Sequence, residues 1–182
     1  TGYPWHGRVT VEVVEAPDRP WKLSLRVPRW CRSAVLTGPG GERPRAVGAG
    51  YAELTRPWKA GDTAVLELDL PVRVTEPDPR VDAVRGCVAA ERGPLVYCLE
   101  SADLPPGSQL EDLRWDRRRE PAAVPRPDIG DDVIGITVPV VRRPAGGPGT
   151  AEAGPADLWA GAVPYFAWAN RGAGAMRVWI PR

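Results

Sequence analysis

Trp21-Lys22-Leu23-Ser24-Leu25-Arg26-Val27 puts an apolar residue at every second position and a polar one between each pair. Successive side chains on a β-strand point to opposite faces, so this heptad has one dry face and one wet face. Val9, Val11 and Val13 alternate in the same way with Thr10 and Glu12, and Leu66, Leu68 and Leu70 alternate with Glu67 and Asp69. Antiparallel sheets packed on one side carry this pattern.

The segments between these runs are turn chemistry. Ala16-Pro17-Asp18-Arg19-Pro20 separates the first two runs. Gly38-Pro39-Gly40-Gly41 follows a short run at Ala34–Thr37, and Lys59-Ala60-Gly61-Asp62 precedes the Leu66 run. The 22 Pro and 20 Gly break the chain into pieces too short for long helices. Short strands at such spacing predict an all-β chain of sandwich type.

Glu76-Pro77-Asp78-Pro79 cannot serve a central strand, because proline lacks the ladder N–H. A domain boundary is therefore expected here. The expectation is two consecutive antiparallel β-sandwich, jelly-roll-like domains, Thr1–Thr75 and Glu76–Arg182. The second holds strand candidates at Gly86–Ala90, Leu95–Glu100, Val133–Val141, Val163–Ala169 and Met176–Ile180. Ser101–Asp132, with its charge run Arg114–Glu120, and Arg142–Pro155 read as exposed loops. The chain opens on Thr1 without a Met and stops just after an apolar run. It therefore reads as a piece of a longer polypeptide.

Charge and composition exclude some partners. The 24 basic and 23 acidic residues nearly cancel, which argues against a nucleic-acid footprint or a basic membrane patch. No run of about 18 apolar residues is present to span a bilayer as a helix.

The chemical candidates are few. Cys87–Cys98 reads as a hairpin; with a Glu91–Pro94 loop, Cys87 faces Cys98. That pair is either a redox bond or half of a metal site, or two small thiols packed side by side. Cys31 is remote, no C-x-x-C spacing occurs, and His6 is the sole imidazole, in a turn, so a zinc ligand set is not assembled. Glu53, Glu91 and Glu100 are the carboxylates to weigh for glycosidase chemistry, which needs two acids across the scissile bond. Glu53 and Glu67 fall on outward strand positions, and Glu91 sits by the expected hairpin turn. Among the eight Trp, Trp21 is expected in the core. Trp5, Trp30, Trp58, Trp168 and Trp179 are expected to seal strand edges and ends, with Trp115 and Trp159 most exposed.

Several segments, in order, carry a family resemblance: Tyr3-Pro4-Trp5 with Gly7 and Val9; Leu25-Arg26-Val27-Pro28-Arg29-Trp30-Cys31; Tyr51 through Arg56-Pro57-Trp58 and Gly61-Asp62; Arg92-Gly93-Pro94-Leu95-Val96-Tyr97-Cys98-Leu99-Glu100; and Pro164-Tyr165-Phe166-Ala167-Trp168-Ala169-Asn170-Arg171-Gly172, closing with Met176-Arg177-Val178-Trp179. Together they resemble the C-terminal region of the β-L-arabinofuranosidases of glycoside hydrolase family 127, along essentially the whole chain. The resemblance implies a parent with an N-terminal (α/α)6 barrel followed by two β-sandwich domains. Such a parent is a retaining enzyme for terminal β-L-arabinofuranosides. Its zinc-bound Cys nucleophile and Glu acid/base lie in the barrel, so Cys31, Cys87 and Cys98 do not inherit those roles. No catalytic, cofactor or metal residue is expected in this chain. Its expected partners are the barrel of the same polypeptide, a second copy in a homodimer, and carbohydrate substrate through the parent. The alternative is a free-standing carbohydrate-binding β-sandwich module.

Overall fold

The computed structural model describes residues 1–104, 108–142 and 158–182. The expected loop at Arg142–Pro155 lies, beyond Arg142, outside the described residues. The chain divides into two compact units, Thr1–Pro71 and Val72–Arg182. Among the described residues both are built from antiparallel strands without an α-helix, and the second adds short 3-10 turns.

The first unit has six strands: β1 (Arg8–Glu12), β2 (Trp21–Val27), β3 (Ala34–Thr37), β4 (Arg45–Val47), β5 (Gly50–Arg56) and β6 (Thr63–Leu68). They form a four-stranded sheet, β1-β6-β3-β4, and a β2-β5 pair. Alternation in the sequence becomes alternation in burial. Val27, Ala34, Leu36, Ala52, Leu66 and Leu68 gather into one apolar cluster. Trp58, 3% exposed, anchors a second cluster with Val13 and Ala64. Trp21 stacks on Trp58 at 5.1 Å between centroids, and Trp58 Nε1 donates to the Trp21 carbonyl at 3.1 Å. Trp58 thus lies in a core and does not seal an edge. Gly7 is required by close approach: a Cβ there would sit 1.8 Å from the Leu68 carbonyl oxygen.

The second unit has nine described strands: β7 (Val72–Thr75), β8 (Cys87–Arg92), β9 (Leu95–Glu100), β10 (Leu113–Trp115), β11 (Ala122–Pro125), β12 (Ile134–Arg142), β13 (Leu158–Pro164), β14 (Met176–Arg177) and β15 (Ile180–Pro181). They make one sheet in the order β10-β12-β13-β9-β8-β15. β11 lies beside β12, β14 beside β9 and β7 beside β8. The sheet curls until β10 approaches β15. Tyr97, Leu99, Leu113, Ile136, Val138 and Val140 fill its inside with essentially no exposure. Tyr97 keeps its hydroxyl satisfied by donating to the Ile134 carbonyl at 2.8 Å. Burial pushes that phenol up to about 12.

Four sequence expectations change. Val72–Thr75, assigned above to the first domain, pairs with β8 and belongs to the second unit, so Pro71 marks the division. The Cys87–Cys98 hairpin turns at Gly93-Pro94, with Glu91 opposite Val96 and Arg92 opposite Leu95. Gly93 supplies the positive φ (54°) that a two-residue turn requires at its first position. Continued along the strands, that register sets Cys87 opposite position 100 and Cys98 opposite position 89, so the two thiols are not directly opposed. Ser101–Asp132 is not all loop: β10 and β11 cover one edge of β12, and Trp115, expected outside, is 5% exposed in the core. The strand expected at Val163–Ala169 ends at Pro164, and the aromatic run beyond it forms a 3-10 turn, Tyr165–Ala167.

Candidate functional site

The curled sheet of the second unit gathers five charged side chains at one end. Glu100 is the last residue of β9, and Asp103 closes the 3-10 turn that follows it. Arg126 follows β11, with Asp128 two residues on. Arg171 comes from the segment after the Tyr165–Ala167 turn. Arg171 donates to Glu100 and, through both terminal nitrogens, to Asp103, with Nη1 to Oδ1 at 2.8 Å. Arg126 reaches Asp103 at 2.9 Å and clasps Asp128 at 2.7 and 2.8 Å. The side chains of Glu100, Asp103, Arg126 and Arg171 are 8, 14, 13 and 25% exposed, so this is an interior network with Asp128 at its rim.

Glycines make room for it. A Cβ on Gly135 of β12 would meet Arg126 at 2.6 Å and the Ala162 carbonyl at 2.9 Å. One on Gly161 of β13 would press on Arg126 and Asp103 at 3.3 Å. The Arg126 side chain thus runs over two bare strand positions, its Cγ against Gly135 and its Nη1 against Gly161. Burial raises the Asp103 carboxyl, but hydrogen bonds from Arg171 and Arg126 outweigh it and hold the group below the usual range. Arg126 holds Asp128 down to about 2. Both arginines are held above their ordinary value, first by carboxylate hydrogen bonds.

Glu100 and Asp103 both accept from the same Arg171 nitrogen and are therefore close neighbours, and a retaining glycosidase pair is also close, about 5–5.5 Å apart. Spacing is not sufficient. The acid of such a pair must carry a proton near neutrality, which needs a raised pKa. Asp103 is shifted the other way, and Glu100 is 6% exposed beneath its guanidinium. With its carboxylates bonded to arginine, this arrangement ties together the segments that follow β9, β11 and β13.

The other weighed residues are dispersed. Glu53 is exposed and paired with Lys22 at 3.0 Å, the outward position expected for it. Glu91 is a strand residue opposite Arg73, bonded at 2.7 Å. His6 is exposed in a turn of the first unit. All three cysteines are free; Cys31 donates to the Ser33 carbonyl, and burial followed by the Glu100 and Asp103 charges pushes the Cys98 thiol up to about 12. A thiol so shifted is held in its protonated form, and the thiolate is the nucleophilic one. Among the described residues no three His, Cys, Asp or Glu side chains gather as metal ligands.

Sequence reasoning missed a second buried charge. Asp116, 4% exposed, accepts from Arg118 Nε at 3.0 Å and Arg119 Nε at 2.9 Å, and Arg118 chiefly holds it far below the carboxylate range. Arg119 also donates to the Leu158 carbonyl at 2.9 Å and lies 4.7 Å above the Trp159 ring. Trp159 is 44% exposed, as expected for it. The only signal for this cluster was the charge run itself, which is equally a solvated loop.

Residues 1–71 match the family model for the beta-L-arabinofuranosidase GH127 middle domain, and residues 72–181 match that for the glycoside hydrolase family 127 C-terminal domain. The chain belongs to glycoside hydrolase family 127. The two matches meet where the fold divides, between Pro71 and Val72. The chain is 34% identical to a non-reducing end beta-L-arabinofuranosidase of Bifidobacterium longum subsp. longum, over all of this chain and 30% of that protein. A GH127 beta-L-arabinofuranosidase structure from Geobacillus stearothermophilus T6 superimposes with TM-score 0.81 at 35% identity, over 29% of its length. A second GH127 beta-arabinofuranosidase structure gives 0.85 at 27% identity, over 30% of its length. The chain therefore spans about three-tenths of these relatives and corresponds to their C-terminal region.

Proposed function

We propose that this chain is the non-catalytic C-terminal portion of a β-L-arabinofuranosidase-like glycoside hydrolase. Its work is to support the catalytic barrel of the same polypeptide, with a second role in dimerisation. The parent reaction is retaining hydrolysis of terminal β-L-arabinofuranosides, the linkage class named for the Bifidobacterium relative.

One observation carries this reading. Middle and C-terminal domain matches fill the chain from residue 1 to 181, while the relatives are about three times longer. The charge geometry agrees with it. The carboxylates that come together in the second unit are neutralised by arginine, which suits a scaffold and not an acid/base pair.

The test is truncation in the Bifidobacterium relative. Removing its matched C-terminal region should lower the melting temperature and soluble yield of what remains. Reinstating the region as this 182-residue chain, fused in its place, should restore both. Unchanged stability and activity after truncation would refute a supporting role.

A further inference from the structure

Three aromatic residues within one four-residue turn are exposed where β13 ends. Tyr165, Phe166 and Trp168 are 49, 63 and 38% exposed, and Phe166 is the only phenylalanine in the chain. Burial of apolar area is favourable in proportion to the area removed from water. An isolated exposed aromatic is ordinary on a protein surface, whereas a cluster marks a place where something docks.

The turn that carries them is held rigidly from below. Ala167 between them is buried, and the Trp168 N–H donates to the Tyr165 carbonyl. Ala169 follows at a φ of 64°, a left-handed conformation costly for any residue with a Cβ, and its N–H donates to Glu100 Oε1 at 2.8 Å. Arg171 is tied to Glu100 and Asp103. A strained residue persists where its surroundings over-determine it. Here the buried network fixes the turn and presents the rings outward.

The chemistry of the surface selects the occupant. Glu100, Asp103, Arg126 and Arg171 bond to one another beneath the turn, so its outer face offers ring surface and not free charge. The centre of a permanent protein interface has this composition: aromatic residues enriched, charged ones depleted. A sugar would need charged and polar groups placed for its hydroxyls, and the charged groups beneath this turn are bonded to one another. The relatives are about three times longer than this chain, which matches the family's middle and C-terminal domains. We propose that the Tyr165–Trp168 turn is the docking point that seats this region against the preceding N-terminal part of a family 127 polypeptide. This inference rests on the supporting role proposed above and assigns it to named residues.

Hydroxyl-radical footprinting tests it, on the isolated 182-residue chain and on the Bifidobacterium relative with its matched region replaced by this chain. The three rings should label strongly in the isolated chain and several-fold less in the chimera. Phe166→Ser should lower the melting temperature of the chimera by clearly more than it lowers that of the isolated chain. Equal labelling in both proteins, or a Phe166→Ser chimera as stable as its parent, would overturn the docking point. So would protection in the isolated chain that grows with its concentration, which would assign the face to a second copy. Protection of the isolated chain by arabinose-containing oligosaccharides would overturn it in favour of sugar binding. If truncation of the relative matters but the rings stay labelled, only the docking point fails; if truncation has no effect, the supporting role fails first. A chimera that does not fold, where the relative does, counts against both.

Discussion

The two units of this chain use charge differently. In the first, ion pairs lie on the outward faces of strands already held by an apolar core. Arg8–Glu67 and Lys22–Glu53 are about half exposed, and the alternation of Leu, Val and Trp does the holding. In the second, Glu100, Asp103, Arg126 and Arg171 are withdrawn from water and tie together segments that follow three different strands. Exposed pairs are screened and replaceable. A buried carboxylate depends on its partner, because losing that partner leaves a charge without water or counter-ion. The first unit is therefore expected to tolerate changes of surface charge that the second does not.

The largest effect should come from Arg171→Met, which leaves Glu100 buried and unpaired. Loss of one partner of a buried pair costs about 3–5 kcal/mol, and the partial exposure of Arg171 places this case near the lower end. Denaturant unfolding should show the loss in the transition of the second unit, followed by its aromatics, while that of the first stays put. Equal weakening of both transitions would remove the distinction between the units.

Acid should separate them next. Asp103 and Asp128 titrate below their unfolded values, so their stabilisation is complete above the unfolded carboxylate range and disappears as protons bind. The window runs from about pH 4 down to about pH 2. Calorimetry across it should show the melting temperature of the second unit falling more steeply than that of the first. Parallel slopes would mean that the network contributes no pH-dependent stability. The smallest effect is expected from Glu67→Gln in the exposed pair with Arg8, below about 1 kcal/mol by the same denaturant titration.

The units also differ in how far their sequence could be read. β2 and β6 are legible because burial on a two-sided sheet has the same period as the side chains, and Leu23, Leu25, Leu66 and Leu68 obey it. β10 is three residues long and lies inside a charge run, so Trp115 looks like a loop residue until Leu113 and Trp115 are seen to share the inward face. The Cys87–Cys98 register turned on where the hairpin bends, and a two-residue Gly-Pro turn fits the same sequence as a four-residue loop. The ionic network has no sequence signature, since Arg171 and Glu100 are 71 residues apart. What could have drawn attention to them is position: Arg171 is the lone charge of its motif in the family resemblance, and Glu100 the lone acid of its own.

The central claim is that this chain carries no glycosidase chemistry of its own. The direct measurement is to incubate the purified 182-residue chain with an aryl β-L-arabinofuranoside, with and without added zinc, and to follow release of the aryl group. No turnover above the uncatalysed rate is predicted under either condition. Turnover that co-purifies with the chain and is lost on Glu100→Gln would contradict the claim and make the Glu100–Asp103 pair an active site.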